Sequence, residues 1–164
     1  MPGLSRETPI AVIGAGTMGA GIAQVAAAAG HPVLLFDAQQ DAPPRAVGQI
    51  KASLVRLVER KRATEADAAA LAARIRPCAT LADLKGAGLV IEAIVEDMAV
   101  KKALFAELEA LLGPDAILAT NTSSLSITEL AGGLKRPERV AGMHFFNPAP
   151  VMPLVEIIRG FATA

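Results

Sequence analysis

Tryptophan and tyrosine are absent, and aromatic residues make up only 3% of the 164-residue chain. Surfaces that hold single-stranded nucleic acid stack the bases on aromatic faces, so such a surface is not expected here. A charge excess is also missing: 16 Lys+Arg balance 16 Asp+Glu. General nucleic-acid binders carry a basic excess, and no nucleic-acid partner is expected. Cysteine is nearly absent. Cys78 stands alone, so no intrachain disulfide can form, and the reading for it is a small buried hydrophobe. With only His31 and His144 beside it, a structural zinc site lacks ligands; no metal is expected. The missing disulfide framework fits a reducing, cytoplasmic compartment.

Long apolar runs are lacking too. A membrane span needs about 20 consecutive apolar residues. Arg6, the apolar run from Ile10 and the alanines Ala26 to Ala29 have the outline of a secretory signal peptide, but Glu7 and Pro9 stand at its front and glycines interrupt it at 14, 16, 19, 21 and 30. No membrane partner is expected.

What is present is material for a core. Hydrophobic residues are 52% of the chain and charged residues 20%, which suits one folded domain. Short apolar runs at Pro9–Ile13, Pro32–Phe36, Gly88–Ala93 and Ile117–Thr120 read as buried strands, with further strands at 75–79, 139–143 and 154–158. Helical patterns occupy 18–29, 42–61, 64–74 and 97–112, and a short helix starts near Ser126. Gly30 closes the first helix, Thr64 caps the third with Glu65 and Asp67 in its first turn, and Gly113-Pro114 stop the fourth. Alternating strands and helices predict an α/β fold: a Rossmann-type doubly wound, mostly parallel sheet with helices on both faces.

Gly14-Ala15-Gly16-Thr17-Met18-Gly19 matches G-x-G-x-x-G. It follows a strand, opens a helix, and is followed 18 residues after Gly19 by Asp37 at the end of the second strand, the context that gives the pattern meaning. Gly14 permits the tight turn, Gly16 lets a pyrophosphate approach the backbone, and Gly19 lets helix and strand pack closely. The free N–H groups and dipole of the helix start stabilise the phosphate charge. Asp37 is placed to accept from the adenosine ribose and repels a 2′-phosphate. Ala38, Gln39 and Gln40 follow, with no arginine to receive one. NAD is favoured over NADP, and FAD competes for the same loop.

Asn121–Ser124 and His144–Asn147 both follow strands, at the sheet edge where such folds bind ligands. His31 falls at the opposite edge and reads as a solvated turn residue. Glu156 lies 12 residues beyond His144, with Pro148, Pro150 and Pro153 between them. That spacing allows a glutamate in the next strand to reach the imidazole, orienting it and raising its basicity as a general base requires. From spacing alone an ordinary polar loop histidine remains open. Glu92, an acid in an apolar strand, is expected to point to the sheet edge. Glu96, Asp97 and Lys101 surround a helix start, where capping and a solvated face compete with a functional role. Met98, Met143 and Met152 read as packing.

Four motifs together carry a resemblance: GAGTMGAGIAQ (Gly14 to Gln24), VIEAIVED (Val90 to Asp97), NTSSLSI (Asn121 to Ile127) and GMHFFNPAPVMPLVEII (Gly142 to Ile158). In order and spacing they resemble the NAD-binding domain of the 3-hydroxyacyl-CoA dehydrogenase family over nearly the whole chain. The form MPLVEII is similar to that of bacterial 3-hydroxybutyryl-CoA and 3-hydroxyadipyl-CoA dehydrogenases. The resemblance implies oxidation of an L-3-hydroxyacyl-CoA to the 3-ketoacyl-CoA with NAD, a reaction of fatty acid β-oxidation. It implies that His144 takes the hydroxyl proton, that Glu156 pairs with it, that Ser123 contacts both the substrate oxygen and the cofactor, and that Asn147 shapes the site. Glu96 and Lys101 match positions lining the cofactor. Ser53 and Arg60, seven apart and so on one face of a basic helix, fall where the family contacts coenzyme A.

Two departures accompany the resemblance. Position 153 is proline where shorter family members commonly have lysine. The family's C-terminal helical domain is absent from this chain. That domain supplies dimer contacts, one side of the acyl cleft and a further active-site asparagine. Residues 1–164 are therefore expected to be the NAD-binding domain alone, inactive or very weak by itself, from a protein that is a homodimer when complete. A non-catalytic NAD(H)-binding module and a dehydrogenase of a free hydroxy acid are the competing readings.

Overall fold

The computed structural model describes residues 4–164. Seven strands form one sheet: β1 (Ile10–Ile13), β2 (Val33–Phe36), β3 (Ile75–Cys78), β4 (Leu89–Glu92), β5 (Ile117–Thr120), β6 (Val140–Phe145) and β7 (Val155–Arg159). Their order across the sheet is β3-β2-β1-β4-β5-β6-β7. Every neighbouring pair is parallel except β6 with β7, which is antiparallel. The helices are α1 (Thr17–Ala28), α2 (Ala42–Glu59), α3 (Glu65–Ala73), α4 (Met98–Leu111) and α5 (Ile127–Ala131). Each predicted strand and helix is present, with ends shifted by one or two residues. Two short 3₁₀ turns, Leu81–Leu84 and Pro137–Arg139, were not anticipated.

Successive strand residues face opposite layers, and the alternation splits the core in two. Ile10, Val12, Leu35 and Ile91 pack under α1 and α2. Ala11, Ile13, Leu34 and Val90 pack on the other face with Phe105 and Leu108 of α4 and Leu130 of α5. Central strands buried on both faces read as unbroken apolar runs, which is why they were visible in the sequence. Small residues on α1 let it lie close to the sheet: Ala23 and Ala27 are fully buried, with Ile22 beside them.

The chain's punctuation follows ordinary capping chemistry. Gly30 takes φ +99° after α1, a left-handed turn that glycine adopts without strain. Pro43 and Pro44 occupy the first turn of α2, where a missing N–H costs nothing. Thr64 accepts from Asp67 N–H at 3.0 Å and Asp97 from Val100 N–H at 2.9 Å, capping α3 and α4. Cys78 is buried, and burial pushes its thiol pKa up. His31 is half-buried, its Nδ1 3.2 Å from the Thr8 carbonyl, so it is less solvated than expected. Six large apolar side chains between Val151 and Phe161 are exposed. Among the described residues no helix is long and apolar enough to cross a membrane.

Candidate functional site

In a parallel sheet the strand ends and the loops after them gather at one edge. The strand order reverses at β1, with β2 on one side and β4 on the other, and the crevice opened there is the ligand position of this architecture. The glycine loop sits in it. Gly14 has φ +101°, and a Cβ there would lie 2.5 Å from the Ala93 carbonyl oxygen. A Cβ on Gly19 would overlap the Gly14 carbonyl, so α1 can start this close to β1 only with glycine at 19. Gly16 differs: nothing stands within 4 Å of its Cβ position, and both it and Thr17 are exposed. The space that a side chain would fill is left open above the N–H groups of the helix start, which fits a pyrophosphate.

Asp37 follows β2 and turns back to this loop. Its Oδ2 accepts from Ala15 N–H at 2.7 Å and its Oδ1 from Gln39 N–H at 2.9 Å. Each oxygen keeps acceptor capacity, as a ribose contact requires. The carboxylate therefore also braces the phosphate loop, which the sequence did not reveal.

β4, β5 and α4 build the next wall. Register pairs Glu92 with Thr120, so both side chains face the α4 layer. Glu92 is fully buried, which corrects the expectation that it points to the sheet edge. Its Oε1 accepts from Lys101 Nζ at 2.6 Å and from Ile94 N–H at 2.7 Å, and its Oε2 accepts from the Thr120 hydroxyl at 2.7 Å. Lys101 is 1% exposed, so it belongs to no solvated face; of the three residues around this helix start, only Asp97 acts as a cap. Lys101 Nζ also stands 3.4 Å from Glu96 Oε2, and Glu96 Oε1 accepts from Ser123 N–H at 3.2 Å. Partial burial pushes the Glu96 carboxyl up. Hydrogen bonds from the Thr122 hydroxyl and Ser123 N–H, with the Lys101 ammonium, outweigh it and hold the group below the usual carboxylate range.

The last wall is the β6–β7 hairpin. His144 stands directly opposite Glu156 in the antiparallel register, and cross-strand partners share a face. His144 Nδ1 lies 2.9 Å from Glu156 Oε2. A carboxylate only accepts, so Nδ1 is the donor of this contact and a neutral ring in that tautomer has its lone pair on Nε2. Phe146 packs beside the imidazole, ring centroids 4.7 Å apart. Asn121 Oδ1 accepts from Phe145 N–H at 2.8 Å and ties the loop after β5 to the end of β6; the sequence reading gave Asn121 no role.

These walls enclose a cavity of about 320 Å³ whose lining includes Met18, Glu96, Lys101, Ser123, His144 and Asn147. The structure thus brings together residues from the glycine loop, β4–α4, β5 and β6. Ser53 and Arg60 are not among them. Ser53 is half-buried on α2, while Arg60 is exposed and caps its C-terminus. Neither lines this cavity or the grooves of about 730 and 440 Å³ beside α2 and α3.

Sheet order, the glycine loop and the acid that follows β2 define a Rossmann-type dinucleotide-binding domain. Residues 9–164 match the family described as 3-hydroxyacyl-CoA dehydrogenase, NAD binding domain. The chain belongs to that family, and its cofactor is NAD. A 3-hydroxyadipyl-CoA dehydrogenase of Escherichia coli strain K12 is 53% identical over 155 residues, covering 94% of this chain and 33% of that protein. A probable 3-hydroxybutyryl-CoA dehydrogenase of Bacillus subtilis strain 168 is 48% identical over 94% of this chain and 54% of its own length. A crystal structure of 3-hydroxybutyryl-CoA dehydrogenase from Escherichia coli K12 matches with TM-score 0.95 and 52% identity, over 98% of this chain and 34% of that one. The chain thus spans between a third and about half the length of these relatives.

Proposed function

We propose that the chain is the cofactor-binding, base-bearing part of an enzyme that oxidises an L-3-hydroxyacyl-CoA to the 3-ketoacyl-CoA. The observation that carries this reading is the His144–Glu156 pair at 2.9 Å, with His144 lining the cavity that also holds Ser123, Glu96 and Lys101. NAD, when bound, accepts the hydride released from C3 of the substrate. Gly14, Gly16, Thr17, Met18 and Gly19 hold its pyrophosphate end, Asp37 its ribose, and Glu96 and Lys101 line its nicotinamide end. His144 Nε2 takes the hydroxyl proton, and Glu156 fixes the ring through Nδ1 and stabilises the imidazolium that forms. The Ser123 hydroxyl contacts the substrate oxygen, and Asn147 closes the side of the cavity.

Ser53 and Arg60 are the coenzyme A contacts in this reading. Domain organisation follows the same line: residues 1–164 form the NAD-binding domain, and a helical domain covers the apolar run from Val151 to Phe161, completes the acyl cleft and carries the dimer contacts. Orientation of two reactants is worth roughly 7–11 kcal/mol of barrier, so the chain alone binds NAD with very weak turnover.

Calorimetric titration with NADH, then with acetoacetyl-CoA at saturating NAD, tests the reading. NADH binding is expected. Binding of acetoacetyl-CoA places the coenzyme A site in this chain and makes S53A and R60A the next variants. A chain that binds neither, or that turns over at the rate of the longer relatives, refutes the proposal. His144→Gln separates it from a non-catalytic NAD module: oxidation by the complete protein is lost while NADH affinity stays within about twofold.

A further inference from the structure

Two lines of hydrogen bonds and ion pairs leave one buried carboxylate and end on the same loop. The first runs from Glu92 Oε1 to Lys101 Nζ at 2.6 Å, from Lys101 to Glu96 at 3.4 Å, and from Glu96 to Ser123 N–H at 3.2 Å. The second runs from Glu92 Oε2 to the Thr120 hydroxyl at 2.7 Å, and from that oxygen to Thr122 N–H at 3.2 Å. The Glu92 main chain joins them, accepting from Asn121 N–H at 2.8 Å. All three consecutive amides of the segment 121–123 are thus held by Glu92, directly or at one or two removes.

Stability alone does not account for an acid at this position. A buried ion pair is often no better than well-packed apolar residues of the same volume, and the flanking residues Val90 and Ile91 show that the strand accommodates apolar side chains. What the carboxylate supplies is direction. Its two oxygens fix an ammonium on one side and a hydroxyl on the other, and each is passed on to a backbone N–H of the loop that carries Ser123. Glu96 and Ser123, the exposed members of the cavity, are tied to each other through the Ser123 N–H and to Glu92 through Lys101.

We propose that Glu92 is a positioning residue of the site: it sets the 121–123 backbone, and through it the Ser123 side chain at the nicotinamide end of the cofactor cavity. The consequence for the substrate oxygen rests on the role proposed above for Ser123; the positional claim does not.

The test uses the ¹⁵N-labelled chain, with amide resonances and NADH affinity as readouts. In Glu92→Gln the Thr122 and Ser123 amides are expected to move while those of Gly16 and Ala20 at the pyrophosphate end stay in place. NADH affinity is expected to fall about tenfold, the size of one ionic hydrogen bond. Unmoved Thr122 and Ser123 amides in the folded variant, or shifts spread evenly over the sheet as a general loosening gives, overturn the proposal. If loss of its buried partner leaves Lys101 too costly for E92Q to fold, Thr120→Val interrupts the second line with the ion pair intact. Its Thr122 amide then moves and Thr120→Ser, which keeps the hydroxyl, restores it; a Thr122 amide indifferent to T120V overturns the proposal equally. Failure of the unaltered chain to bind NADH refutes the functional reading instead, and the amide comparison still decides the positional one.

Discussion

Asp37 braces the glycine loop, and replacing it separates that observed task from the ribose contact proposed for it. One oxygen braces the glycine loop through Ala15 N–H at 2.7 Å, the other accepts from Gln39 N–H at 2.9 Å, and both have room for a ribose hydroxyl. Hydrogen bonds to a charged acceptor contribute about 1.5–3 kcal/mol each, and the half-exposed position favours the lower end. Asp37→Asn keeps one acceptor oxygen and the shape. It removes the charge and one of the two acceptors, so the expected loss is about 1.5–2 kcal/mol, or roughly 10- to 30-fold in NADH affinity. The same change removes the repulsion of a 2′-phosphate. NADPH, which the Asp37 charge is expected to disfavour in the unaltered chain, is then expected to bind within a few-fold of NADH. Calorimetry with both reduced cofactors reads the two effects separately, and far-UV circular dichroism shows whether the loop bond also supported the fold. A folded D37N that binds NADH within twofold of the parent and still rejects NADPH would refute the assignment of this acid to the ribose.

Three further perturbations follow from the geometry. Gly19→Ala places a methyl on the Gly14 carbonyl, a backbone clash relieved only by moving α1 off β1; a loss of about 2–3 kcal/mol in urea unfolding and loss of NADH binding are expected, and a stable, NADH-binding variant would contradict the packing. Lys101→Met strips Glu92 of its buried counter-charge. Breaking such a pair costs about 3–5 kcal/mol, and E92Q/K101M should recover part of it; a single variant losing under about 1 kcal/mol counts against the pair. Glu96 ionises more readily in the folded chain than a free carboxyl. Its contribution is therefore complete above the usual carboxylate range and lost as pH falls through the lowered value. Glu96→Gln should flatten that acid limb by less than about 1 kcal/mol, given its 43% exposed side chain, and identical limbs in urea titrations near pH 3–6 would refute it.

The layout of the sheet was legible because its signals are local. Strands buried on both faces are continuous apolar runs, and the glycines at 14, 16 and 19 punctuate the chain where backbone conformation or close packing requires them. For His144 and Glu156, a separation of 12 positions with three prolines between them made a contact possible, and it was the resemblance that implied the pair. What escaped was the pairing of distant strands. Glu92 reads as an anomaly at an edge until register places Thr120 beside it and α4 lays Lys101 across both. A lysine four residues after a helix cap has the same local sequence whether it faces water or a buried acid. Asn121 was missed likewise, because its partner, the Phe145 amide, lies 24 residues away. Ser53 and Arg60 show the converse. Spacing does not create a cavity: neither residue lines the cavity at His144 or the two grooves beside α2 and α3.

The reversed direction of β7 has a consequence for how the dyad tolerates change. Because β6 and β7 form a hairpin, His144 and Glu156 meet through a short-range contact that needs no crossover helix and little loop-closure entropy. Register alone therefore holds the two side chains together: they stay paired as long as the ladder from Ala141–Arg159 to Phe145–Val155 keeps its phase. A slip of a single residue would send Glu156 through to the opposite side of the sheet. Substitutions that preserve the phase of the ten ladder residues should accordingly keep the His144–Glu156 contact, and those that shift it should lose the contact.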